Sequence, residues 1–145
     1  MVALDAIVPD ALAAIPSEHR DPGREMAPAG PLDADLALVG EAPGANEAET
    51  GHPFVGRAGD VLDDALEAAG IDRASVYITA VVKIRPPDNR DPHRAELDAW
   101  RPVLDAELEL VDPVGVVTLG AVATRELLGT DRRITDLRGR TVDGG

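Results

Sequence analysis

The residues with the most chemical potential in this 145-residue sequence fall in two stretches. In VGEAPGANEAETGHPFVGRAG (39–59) the carboxylate of Glu41 directly follows an apolar run, flanked by Gly40, Ala42, Pro43 and Gly44, with Phe54 further on. Glycines in such a turn allow a ligand to approach the backbone, because no Cβ stands in the way. Glu41 has two readings: it orients or deprotonates a water, or polarises a ligand, or it simply accepts hydrogen bonds from nearby loop amides. Phe54, the only phenylalanine, is either a core side chain or a stacking platform for a planar ligand such as a base. The stretch contains neither G-x-G-x-x-G opening a helix nor Gly-Lys-Ser/Thr, so it is neither a dinucleotide fingerprint nor a Walker loop. His52 reads as a solvated loop histidine.

The second stretch, KIRPPDNRDP (83–92), gathers Lys83, Arg85, Asn89 and Arg90, with Arg94 just beyond and Asp88 and Asp91 diluting the charge. Lys83 is the only lysine in the chain. Phosphate contact is one reading of this loop; pairing with surplus carboxylates is the other. Arg132, Arg133, Arg138 and Arg140 form a weaker strip near the end.

The elements that must position these groups follow from patterning. DLALVG (35–40), SVYITAVV (75–82) and PVGVVTLG (113–120) are continuous apolar, β-branched runs, as buried strands are. GDVLDDALEAAG (59–70) sets Val61, Leu62, Ala65, Leu66 and Ala69 on one helical face and carboxylates on the other, with Gly70 as the stop. Asp91-Pro92 reads as a helix start. The helix that follows carries Leu97, Trp100, Leu104, Leu108 and Val111, kinked at Pro102, and AVATRELLG is a short last helix. Residues 1–34 read as a short helix interrupted near Pro9 and Pro16, followed by a loop. Strand and helix alternate, so the expected fold is three-layer α/β/α around a central parallel sheet, C-terminally short, in a single domain covering 1–145. Ligands bind such sheets at the carboxyl ends of the strands. The 39–59 stretch, the basic loop and the turn TLGAVAT all belong there.

Composition narrows the class. No apolar run is long enough to span a membrane, and the N-terminus lacks the basic region and cleavage site of a secretion signal. Cysteine is absent, which removes disulfides and thiolate chemistry and suits a cytoplasmic protein. With 27 acidic against 14 basic residues the formal charge is −13, which reads either as a well-solvated acidic protein or as adaptation to high internal salt, the latter favoured. That sign argues against nucleic-acid binding by bulk charge, leaving only a local basic strip for it.

Taken together, VGEAPG…E…GHPFVGRAGDVLDDAL, YITAVVKIRPPDNRDP, VVTLGAVATRELLG and ITDLRGR resemble, in order, the motifs of the uracil-DNA glycosylase superfamily, most closely its family-four enzymes. The resemblance runs from about Leu12 to Arg140. It implies a base-excision repair protein that hydrolyses the N-glycosidic bond of a flipped deoxyuridine or related damaged base. The alternative is a catalytically impaired paralogue that binds nucleic acid or a nucleobase. The resemblance places Glu41 in the catalytic motif and Phe54 against the extruded base. Gly40, Ala42, Pro43 and Gly44 line the pocket, and Glu47 matches an acidic position. Lys83, Arg85, Asn89 and Arg90 would meet the DNA backbone. Ala80 stands where the family has a base-reading asparagine, so weaker discrimination for uracil is expected. The sequence ends at TVDGG, ahead of the family's His-Pro motif. The family's four-iron four-sulfur cluster would take ligands at Leu12, Ile15, Ile84 and Trp100. All four are apolar, so the expectation is no cofactor, no metal and an apolar plug in that place. The expected partner is DNA containing uracil or a damaged base, bound by a monomer without a membrane.

Overall fold

The computed structural model describes residues 4–15 and 25–128. The elements run α1 (Leu4–Ala13), β1 (Leu36–Gly40), α2 (Ala45–Thr50), α3 (Gly56–Ala68), β2 (Tyr77–Ala80), α4 (Arg94–Val111), β3 (Gly115–Thr118) and α5 (Ala121–Leu128). The strands form one parallel sheet in the order β2-β1-β3. Gly40 is level with Ala80 and Val39 with Thr118, so all three strands end at one rim. The ladder carries on past β2, where the amides of Val81 and Val82 donate to the carbonyls of Gly40 and Glu41.

Strand alternation sorts the core into two faces. Leu38 and Ile78 pack against Leu62 and Leu66 of α3. On the other face, Val39 and Val81 meet Trp100 and Leu104 of α4 and Ala123 of α5, while Ala37 and Tyr77 meet Val111. Helix α1 lies along α4. This is the expected α/β/α layering, with three parallel strands and flanking helices.

Several local expectations need correcting. Helix α1 continues through Pro9, which removes one amide donor but leaves the helix whole. The stretch read as one long loop contains α2, and α3 starts at Gly56, earlier than the apolar pattern suggests. Its inward face is narrower than expected: Gly59, Leu62 and Leu66 are buried, while Val61 is 64% exposed and Ala65 and Ala69 are exposed. Gly70 does end the helix, at φ 72. Its amide donates to the Glu67 carbonyl and that of Ile71 to the Leu66 carbonyl, the paired bonds of a Schellman stop. Helix α4 begins at Arg94 with His93 as its cap, so Asp91 is released from the capping role expected of it. Among the described residues strand β3 has a partner on one side only and is half-exposed, with Val116 42% and Val117 40% accessible, where full burial was expected. The strip Arg132, Arg133, Arg138 and Arg140 and the ITDLRGR segment lie outside the described residues, as does Pro16.

Candidate functional site at the carboxyl rim of the sheet

The loop after β1 is built around Phe54. Its backbone sits at φ 49, a left-handed conformation that non-glycine residues adopt rarely and at a cost. Two groups hold it there. Arg73 Nη2 donates to the carbonyls of Pro53 and Phe54, both at 2.9 Å, while Nη1 pairs with Asp63 at 2.7 Å. Gly59 makes room, since a Cβ there would lie 2.0 Å from the Phe54 carbonyl oxygen. So fixed, the ring is packed on the α3 side of the core and its tip lies over Gly40. A Cβ on Gly40 would meet Phe54 Cζ at 2.7 Å and Cε2 at 3.0 Å. Gly40 is a glycine because a ring occupies the place of its side chain. Phe54 remains half-buried, so it is neither a purely interior side chain nor a free loop aromatic.

Glu47 closes the other side of the loop. Its carboxylate accepts from the Gly44 amide at 2.9 Å and, through its second oxygen, from the Val55 amide at 2.9 Å. The Gly44 contact is half of a capping box on α2. Glu47 is therefore a brace, and it takes the loop-amide role considered for Glu41. Pro43 is buried, and Ala42 packs toward the α4 core.

Glu41 is half-buried at the rim. Its carboxyl is held above the ordinary carboxylate range, first by desolvation, then by the charge of Asp91 and a side-chain hydrogen bond to it; the Arg125 guanidinium works in the opposite direction. Glu41 follows β1, Asp91 belongs to the loop after β2, and Arg125 to α5 after β3. The segments after the three strands thus contribute one group each at the rim, where the sheet topology places ligand sites.

The basic loop differs from expectation. Lys83 is 3% exposed and cannot reach a phosphate. Its ammonium pairs with Glu107 at 2.6 Å, donates to Thr79 Oγ1 at 2.8 Å and bonds the Ala80 carbonyl. The Tyr77 hydroxyl donates to the other Glu107 oxygen at 2.7 Å. Burial holds Lys83 below the ordinary ammonium range, opposed by Glu107. It pushes Tyr77 above the phenol range, with Glu107 adding to the effect. The lone lysine is therefore part of a buried β2–α4 tie. Arg90 is committed to Glu96 through contacts of 2.5 and 3.2 Å and to the Asp91 carbonyl. Arg85 is half-buried and engaged, and the backbone of Asn89 closes a tight 3₁₀ turn with Pro87 and Asp88. Arg94 and Arg101 both reach Glu126, tying α4 to α5. Ala80, opposite Gly40 in the ladder, is buried.

Asp91, Arg125, Arg73 and Glu107 were not singled out as site groups by sequence reasoning. Asp91-Pro92 carries the signal of a helix start, which hid its pairing with Glu41. Nothing local marks Arg73, whose two carbonyl partners are 19 and 20 residues away.

The profile of the Uracil DNA glycosylase superfamily matches residues 27–144. Among curated proteins, the chain is 45% identical over 115 residues to a Type-4 uracil-DNA glycosylase of Thermotoga maritima, covering 79% of this chain and 60% of that protein. A Type-4 uracil-DNA glycosylase of Pyrobaculum aerophilum is 40% identical over 119 residues, covering 79% and 61%. One from Archaeoglobus fulgidus is 38% identical over 126 residues, covering 86% and 63%. The chain spans about three fifths of the length of these relatives.

Proposed function

Because this chain belongs to the uracil-DNA glycosylase superfamily, we propose that it excises uracil, or a related damaged base, from DNA. The observation that carries this reading is the clamped Phe54 ring over Gly40, at the same rim as Glu41. A base turned out of the helix stacks on an aromatic face, which is worth about 1–3 kcal/mol. The base edge then lies against the rim backbone beside the ring. Water then adds at C1′ of the deoxyribose, the C1′–N1 bond breaks, and its electron pair leaves with the base as uracil anion. The added water gives up a proton, and the products are free uracil and an abasic sugar. Glu41, in its carboxylate form, aims that water and offsets the positive charge developing on the sugar. Burial first, then Asp91 and, in the opposite direction, Arg125 set the fraction of Glu41 in that form.

Ala80 offers the base no hydrogen bond from its side chain, so uracil is separated from other bases less sharply than an amide would allow. Of the second-loop residues expected at the DNA backbone, Lys83 is buried and Arg90 is committed to Glu96, so the proposed contacts fall to Arg85 and to the Asn89 position. The net charge of −13 suits a monomer working in a high-salt cytoplasm. Among the described residues no helix is long and apolar enough to cross a membrane.

The test uses single- and double-stranded oligonucleotides bearing one deoxyuridine, at low and at molar salt, with alkaline cleavage of abasic sites. Strand cleavage that disappears in Glu41→Ala supports the reading. Product no greater than that control, at every salt concentration, rejects it.

A further inference from the structure

The resemblance to the superfamily implies an iron–sulfur cluster at the positions of Leu12, Ile15, Ile84 and Trp100. Such clusters are held by thiolates. These four side chains offer none, and the chain has no cysteine. Among the described residues, no group of three or more His, Cys, Asp or Glu is placed to hold a metal. The donor set does not fit the group.

The place is filled in another way. Trp100 is fully buried at the centre of the larger core cluster together with Ile15, and Leu12 and Ile84 pack against that same cluster. All four positions therefore belong to one apolar cluster, as hydrocarbon in place of ligands. We infer that this apolar knot is the staple joining the N-terminal helix to the second rim loop, and that the chain carries no cluster there.

Two features make the staple necessary. Helix α1 has 10 residues, too few to hold its conformation without tertiary packing, and it contains Pro9. The loop that carries Asp91 starts beside Ile84 and ends at the Arg90–Glu96 ion pair, so the knot fixes its leading end. The Met26 amide, bonded to the Lys83 carbonyl at 2.7 Å, adds a backbone tie at the same end. Trp100 contributes volume here: its indole Nε1 is buried and has no hydrogen-bond partner among the described residues, so its value lies in the space it fills.

Two measurements on the full chain test this. The protein is first expressed with iron and cysteine supplied and purified without oxygen, then assayed for iron, labile sulfide and visible absorption. No stoichiometric iron and no visible charge-transfer band are expected; a stoichiometric cluster overturns the inference. In the second, Leu12→Asp is compared with Leu12→Met. Trp100 is the only tryptophan, so its emission reports on the knot. A shift to longer wavelength and faster amide exchange in α1 and residues 83–93 are expected for Asp, with Met matching the parent. Unchanged emission and exchange overturn the inference. Should Leu12→Asp fail to fold, Ile15→Ala is read in its place: exchange must accelerate in α1 and the loop more than in β1. Equal acceleration in all three also overturns it. None of these readouts depends on glycosylase turnover, so the inference stands or falls separately from the proposed reaction.

Discussion

Gly40→Ala is the sharpest probe of the Phe54 clamp. Gly40 does not have a positive φ, so alanine brings no backbone strain of its own. By restricting the unfolded chain it would even stabilise by about 0.4–1 kcal/mol. Against that, its Cβ would fall 2.7 Å from Phe54 Cζ, where carbon atoms normally rest about 3.5–4.0 Å apart. The ring must withdraw by roughly 1 Å. It cannot do so by shifting its backbone, which Arg73 and Gly59 pin from two sides. Overpacking of this kind costs about 1–3 kcal/mol, which outweighs the entropic gain in most of that range. If the ring instead tips aside, folding is spared and the stacking surface is lost, about 1–3 kcal/mol from kcat/KM, or roughly 5- to 150-fold. Urea unfolding and kcat/KM on the deoxyuridine oligonucleotide are measured together, alongside Gly40→Ala in a Phe54→Leu background. Leucine lacks the Cζ and Cε atoms, so the alanine penalty should shrink there, and the double variant should lose less than the sum of the two single changes. A Gly40→Ala protein within about 0.5 kcal/mol of the parent in both assays would refute the clamp.

Arg73→Ala removes the two carbonyl bonds and the Asp63 pair, letting Phe54 leave φ 49; kcat/KM should fall more than stability does, and Arg73→Lys should rescue only partly because an ammonium does not reproduce the planar fork. Asp91→Asn removes the carboxylate that helps hold Glu41 above its ordinary range, so the acid limb of the pH–kcat/KM profile should move to lower pH. The same sign governs stability. A carboxyl whose folded pKa is raised stabilises below its unfolded pKa and loses that contribution as pH rises through the folded value, so unfolding free energies of the Asn variant should show less of that decline. Lys83→Met strands Glu107 in the core and should cost about 3–5 kcal/mol in urea unfolding, with Lys83→Met/Glu107→Leu recovering much of it. Neither change should alter the salt slope of DNA binding, whereas Arg85→Ala should lower it by about 0.9 on duplex. A lower slope for Lys83→Met/Glu107→Leu would restore the lysine to the interface.

The layering was legible because it rests on local signals. LALVG is continuous apolar chain stopped by glycine, and Leu97, Trp100 and Leu104 repeat at helical spacing, so β1 and α4 could be placed without knowing their partners. The rim followed from the strand order that parallel pairing imposes. What escaped notice were charged residues whose orientation depends on distant groups. Glu107 lies on the inward stripe of α4, yet a carboxylate there reads as solvated until Lys83 and Tyr77 are known to face it. Lys83 failed in the opposite direction: a cation in an arginine-rich loop reads as a phosphate contact until its burial is seen.

The same physics explains why Phe54 stood out in the sequence and its support did not. Phe54 stands out because a phenylalanine between glycines has no local reason to be there. Its support consists of a guanidinium bonded to two main-chain carbonyls and two glycines whose missing side chains leave room. Main-chain acceptors have no sequence identity, and Arg73 would serve equally well before any pair of them. Glycine is ambiguous for the same reason, since its letter does not say whether a positive φ or a close neighbour demands it. Gly70 answers to the first requirement and Gly40 to the second. Only the latter bears on the pocket, because there the neighbour is the ring itself, and any side chain at Gly40 must displace the surface on which a base would stack.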